Sequence, residues 1–174
     1  PALTVGVDVS PALARTSGVG WYLWNLLRAL DREALGIDFN LYARPFLPAD
    51  EEPPELPVTR MRLRCLRLPE TFLLPVGPTL RALNAVVAPV QRILDGNDVV
   101  LAADLTTMDA RGRAPEAVVA TVHDLAFAAM PSALDPEEAR RLRTVVTGSL
   151  LACSRLIAVS DATAEDLGEH LGVS

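Results

Sequence analysis

At 174 residues the chain is long enough to bury one core and too short for two full α/β domains. Half of its residues are hydrophobic and the net charge is -6, an acidic balance that argues against non-specific nucleic-acid binding. Only the middle of the chain is basic, with eight Arg against five acids over 58–113.

Leu3 to Val9 alternates and then runs apolar into Asp8 and Ser10, which reads as a first strand. A nine-residue loop, Ser10 to Gly18, follows it. From Val19 to Leu30 the spacing is helical, with Val19, Leu23, Leu26, Leu27 and Leu30 on one face. Ile37 to Ala43 reads as a second strand, and the Pro- and acid-rich Pro45 to Pro57 as an exposed loop. Val58 to Leu68 has period two, with Arg60, Arg62 and Arg64 on one face and Met61, Leu63 and Cys65 on the other, as in a half-exposed strand. A helix is predicted over Pro78 to Leu94, ending at Gly96, and a short buried strand over Asp98 to Ala102.

Val118 to Val122 is a run of β-branched and small apolar residues, the mark of a strand buried on both faces. It stops at His123 and Asp124. Asp135, Pro136 and Glu138 then supply an N-cap, a first-turn proline and a capping-box glutamate for a helix reaching about Cys153. A strand over Arg155 to Val159 and a helix from Ser160 to about Gly172 complete the chain. Strands alternating with helices predict a Rossmann-like three-layer α/β/α domain with a mostly parallel twisted sheet.

Open α/β sheets bind ligands at the carboxyl ends of their strands. His123 and Asp124 stand at such an end, so a ligand role competes with an ordinary one in which the imidazole bonds a carbonyl and holds a loop. Gly18 and Gly20, around Val19 at the start of the first helix, remove Cβ atoms so that N–H groups at its positive end can approach a phosphate. The other reading is that these glycines only let the loop fold. A nicotinamide fingerprint is disfavoured by Leu23, where it needs a third glycine, and by Arg44, where it needs an acid. Ser160 reads as a helix cap whose hydroxyl could also face the ligand crevice. Too few ligands accompany His123 and the remote His170 for a zinc site.

Cys65 and Cys153 stand far apart in apolar contexts and read as buried thiols. Trp21, Tyr22 and Trp24 read mainly as core. No stretch resembles a secretory signal, and prolines and arginines interrupt the apolar region Thr71 to Leu94, so a soluble, cytoplasmic setting is expected. The Arg-flanked stretch from Arg60 to Leu94 could also touch an anionic membrane surface, giving weak peripheral contact at the inner membrane face.

The segments VGVDVS, TSGVGWYLWNLLRAL, ATVHDLAFAAMP and LIAVSDATAEDLGEHLGV, in this order, resemble the amino-terminal domain of family 4 glycosyltransferases of the GT-B type. The resemblance implies one half of a GT-B fold, the acceptor-side domain over 1–174, whose donor-binding carboxyl-terminal partner domain is missing here. It implies a retaining enzyme, expected in bacterial glycan synthesis, that moves a hexose such as mannose or glucose from GDP-mannose or UDP-glucose to a glycan or lipid-linked acceptor. No cofactor or metal is implied, and the isolated fragment is expected to be inactive. Carried over residue by residue, His123 would stand near the transferred sugar, with Asp124 orienting its loop or the imidazole. Gly18, Val19, Gly20 and Ser160 would lie near the donor diphosphate, and Asp8, Ser10 and Asp104 toward the acceptor. A non-catalytic nucleotide- or sugar-binding module is the alternative function.

Overall fold

The computed structural model describes residues 2–15, 17–33, 35–47, 55–67, 96–105 and 117–173. Contacts divide the chain into two compact units, Pro1–Val100 and Leu101–Ser174. Hydrogen bonding orders six strands as β3-β2-β1-β4-β5-β6, the order of a Rossmann-like α/β sheet. The expected fold class holds.

In the first unit, β1 (Thr4–Asp8) runs parallel to β2 (Asp38–Leu47), with Thr4 opposite Asp38 and Asp8 opposite Tyr42. Val5 and Val7 are buried. Between them stands Gly6, where a Cβ would lie 2.5 Å from the side-chain nitrogen of buried Asn97. The Asn97 side-chain oxygen accepts from Asn40 at 2.7 Å, so a polar pair replaces a side chain at this point of β1. A short helix α1 (Ser10–Ala14) follows β1 directly, in place of the open loop expected over Ser10 to Gly18. Its small residues Ala12 and Ala14 and the proline in its first turn favour it, and Arg15 closes it in the left-handed region at φ 46°.

Helix α2 (Gly18–Glu33) buries Leu23 and Leu27 completely, each stabilising the fold by about 1.5–3 kcal/mol. Beyond it, Gly36 takes φ 69° to turn the chain into β2. That strand runs on through Leu47, farther than the expected end at Ala43, because β3 (Arg62–Arg67) continues to pair with it in parallel. The register shifts between Ala43 and Leu47, an interval containing Pro45, which has no N–H to give a neighbour. The strand expected from Val58 begins only at Arg62.

The segment before β3 is held by Asp31 of α2, whose carboxylate accepts from the Thr59 N–H and hydroxyl and from the Arg60 N–H, all at 2.9 Å. Those N–H groups hold its carboxyl below the usual aspartate range. A depressed pKa contributes stability while the group is ionised, and that contribution disappears as pH falls through the folded-state value. Asp31→Asn is therefore expected to melt below wild type at pH 7, with the gap closing in acid. Calorimetry at pH 7 and pH 3 checks this, and an unchanged gap would remove the ionic contribution.

β4 (Val99–Ala102) is entered through two bonds between Asp98, the residue before it, and Thr4 of β1: the Asp98 N–H donates to the Thr4 carbonyl at 3.0 Å, and the Thr4 N–H donates to the Asp98 carboxylate at 2.8 Å. The helix expected over 78–94 lies outside the described residues. So do 48–54 of the expected Pro45 to Pro57 loop, most of the stretch from Arg60 to Leu94, and the side chains of Arg62, Arg64 and Cys65.

In the second unit, β5 (Ala117–Val122) pairs in parallel with β6 (Arg155–Ala158), with Val119 opposite Arg155 and Val122 opposite Ala158. Ala120, Val122, Leu125, Phe127, Val146 and Leu167 form its core with Leu105. Helix α3 (Ala126–Ala129) and a 3-10 turn (Pro131–Ala133) lead to α4 (Pro136–Leu150). Asp135 caps α4 as expected, accepting from the Glu137 and Glu138 N–H groups. The reciprocal arm of a capping box is replaced: Glu138 instead binds the Arg141 guanidinium twice, at 2.6 and 2.7 Å. Helix α5 (Asp161–Leu171) begins at its Ser160 cap and ends at Gly172, φ 67°.

Candidate functional site

β5 becomes buried toward its polar end: Ala120 and Thr121 are fully buried and Val118 and Val122 nearly so, while Ala117 and Val119 are half-buried. The next residue, His123, is half-buried, and Asp124 is exposed. The His123 Nε2 lies 2.8 Å from the Ala103 carbonyl oxygen at the end of β4. A carbonyl can only accept, so this nitrogen carries a proton. The imidazole therefore bonds a carbonyl and holds a loop, as the ordinary reading expects. Half-buried Asp104 directly follows that carbonyl in the chain.

The backbone of His123 is held from the other side. Buried Thr163, in the first turn of α5, donates its hydroxyl to the His123 carbonyl at 3.3 Å. With that proton committed, the Ser160 hydroxyl donates to Thr163 Oγ1 at 3.0 Å and accepts the Thr163 N–H at 3.2 Å. Ser160 is thus both the cap of α5 and the far end of a relay to His123. Sequence reasoning missed Thr163, whose only signal was its place three residues after a capping serine. Thr163→Val keeps the volume and leaves the His123 carbonyl without that donor, so a loss of about 1–3 kcal/mol is expected. Thr163→Ser should retain most of it, and melting temperatures of the two variants decide.

Asp124 accepts from the Ala126 N–H at 3.1 Å. Of the two roles implied for it, this contact carries the loop-orienting one: the carboxylate turns the chain into α3.

In the first unit, Asp8 closes the turn after β1 by accepting from the Ser10 N–H at 3.0 Å and the Ser10 hydroxyl at 2.6 Å. Two of the acceptor-side candidates therefore bind one another. Ser17 caps α2, its hydroxyl accepting the Gly20 N–H at 3.2 Å and its carbonyl the Trp21 N–H at 3.2 Å. The Gly18 and Val19 N–H groups lie at the positive end of a helix with no acid in its first turn.

The two glycines differ. A Cβ on Gly20 would collide with the Pro11 carbonyl oxygen and stand 3.2 Å from the Arg15 Cα, so Gly20 lets α1 and α2 approach. A Cβ on Gly18 would have nothing within 4 Å. Packing explains Gly20, whereas no packing contact requires a glycine at 18.

The family model of Glycosyltransferase Family 4 matches residues 16–174. The chain belongs to this family. No curated protein matches it. Family 4 membership makes the chain a glycosyltransferase-type module, and both the glycine helix start and the His123 strand end fall inside the matched range.

Several side chains outside these two places differ from expectation. Trp21 is 51% exposed, and Tyr22 and Trp24 are half-buried, so none of the three is core. Cys153 is half-buried, its Sγ donates to the Ser149 carbonyl at 3.2 Å, and burial raises its thiol pKa. Among the described residues no three His, Cys, Asp or Glu are grouped to hold a metal ion. No helix among them is long and apolar enough to cross a membrane.

Proposed function

We propose that the chain is the acceptor-side domain of a retaining glycosyltransferase that moves a hexose, of mannose or glucose type, from a sugar nucleotide to a glycan or lipid-linked acceptor. The observation that carries this reading is His123: a half-buried imidazole at a strand's carboxyl end, with its Nε2 bonded to Ala103 and its own carbonyl tied to Thr163, in a chain of this family.

In this proposal each residue has a limited task. His123 hydrogen-bonds the transferred sugar or the acceptor and supports charge developing at the anomeric carbon. Asp124 shapes the loop that carries it. The Gly18 and Val19 N–H groups and the positive end of α2 stabilise a departing diphosphate, with Gly20 setting that helix start in place. Ser160 serves through the cap that holds Thr163. Asp8 and Ser10, which lead from β1 into α1, and Asp104, which follows β4, are assigned to the acceptor side.

Retention follows if the acceptor oxygen attacks from the face the diphosphate leaves, with a phosphate oxygen taking the acceptor's proton. The C–O bond to the leaving phosphate breaks as the new glycosidic bond forms, and no protein base or metal is required. Catalysis is then mainly orientation and electrostatics. The partners proposed are the donor, the acceptor and a carboxyl-terminal donor-binding domain, in a cytoplasmic setting with no nucleic acid.

The test is release of nucleoside diphosphate by the complete transferase carrying this chain, with and without glycan acceptors, across GDP- and UDP-sugars. Acceptor-dependent release supports the proposal. Saturable sugar binding without release by any pair would leave the non-catalytic binding module.

A further inference from the structure

Arg15 occupies an unusual position. It closes α1 with a left-handed backbone, φ 46° and ψ 29°, at a place most often given to glycine. Its guanidinium carbon lies 4.4 Å from the Trp24 ring centroid and 5.8 Å from that of Trp21. Stacking occupies the face of a guanidinium and leaves its in-plane N–H donors pointing outward, suited to a bidentate oxyanion. No carboxylate among the described residues pairs with it, and no acid stands in the first turn of α2. Arg15 is exposed, and beside it Trp21 presents a ring that is 51% exposed.

A positioned cation and a flat apolar face therefore adjoin at the start of α2, where the Arg15 Cα would stand 3.2 Å from a Cβ on Gly20. In a chain of net charge -6, an arginine set against two aromatic rings and paired with no carboxylate among the described residues is a local exception with a specific complement. We propose that Arg15 and Trp21 form a binding shelf for an anionic sugar, a pyranose bearing a phosphate or carboxylate, and that this sugar belongs to the acceptor. The ring lies on Trp21, and the charged group receives the in-plane Arg15 donors. Trp24 acts as a positioning residue by holding the guanidinium. The inference rests on the glycosyltransferase reading only for calling this sugar the acceptor; binding itself does not depend on it.

Both tryptophans of the chain belong to the shelf, so intrinsic fluorescence reports on it directly. The chain is titrated with glucose 6-phosphate, glucuronate, glucose and adenosine 5′-monophosphate, without donor. Expected are saturable quenching by the two anionic sugars, about tenfold weaker binding of glucose, and weakening by added salt. The phosphate and carboxylate arms show which group is preferred. Arg15→Gln should bring the anionic sugars to the level of glucose. Trp21→Ala should weaken every sugar while circular dichroism and melting stay near wild type, with Trp24 as the reporter.

Equal binding of glucose and its phosphate, tighter binding of the nucleotide than of either anionic sugar, or wild-type affinities in both variants would overturn the shelf. Acceptor-dependent nucleotide release that shows no preference for anionic acceptors would overturn its acceptor role and leave the transferase reading standing. Binding to the shelf in a protein that releases no nucleotide would do the reverse.

Discussion

Replacing His123 with alanine is expected to slow transfer by more than about tenfold, about 1.4 kcal/mol at the barrier, with the fold intact. The imidazole does two things, and alanine removes both. Loss of the 2.8 Å bond to the Ala103 carbonyl costs about 1 kcal/mol of stability, a small part of a domain's total. In the proposed role, loss of the ring also removes the group that hydrogen-bonds the sugar or the acceptor. His123→Gln separates them, because its amide can still donate to the carbonyl while offering a different atom to the ligand. Transfer restored by glutamine would make the histidine a loop clamp. Stability restored without transfer would assign it to the chemistry.

Gly20→Ala is expected to destabilise by at least about 2 kcal/mol, because the added methyl meets a backbone carbonyl that cannot rotate away. In a domain of this size that lowers the melting temperature by about 4–8 °C. Gly18→Ala should fall within about 0.5 kcal/mol of wild type, since its methyl enters open space. In the complete transferase Gly18→Ala should instead raise KM for the sugar nucleotide, by standing between the helix N–H groups and the diphosphate. Differential scanning fluorimetry and donor kinetics on the same preparations check both halves. Equal destabilisation by the two substitutions would contradict the separation of their roles.

The parts of the fold visible in the sequence are those fixed by local pattern. The buried run Val118 to Val122, the Leu23 and Leu27 stripe of α2, and the Asp135 and Ser160 caps each follow from neighbours within a few positions. The helix α1 was hidden because it is one short turn built of five residues, ended by an arginine in a backbone state that sequence assigns to glycine. β2 overran its expected end because pairing with β3 extends it, a contact that no local pattern encodes. The same holds at the site. The position of His123 was legible from the strand that ends there, whereas its partners stand 20 and 40 residues away, at Ala103 and Thr163. The difference between Gly18 and Gly20 likewise depends on where α1 lies against α2. Sequence spacing marks both glycines equally, and only the Pro11 carbonyl distinguishes them.

The central proposal is that this chain supplies the acceptor side of a retaining sugar transfer. Its most direct test is to incubate the complete transferase with an α-linked sugar nucleotide and a glycan acceptor and to follow the anomeric proton of the product by NMR. An α-linked product, formed only when acceptor is present, is the predicted result. A β-linked product, or free sugar released at the same rate with and without acceptor, would contradict it.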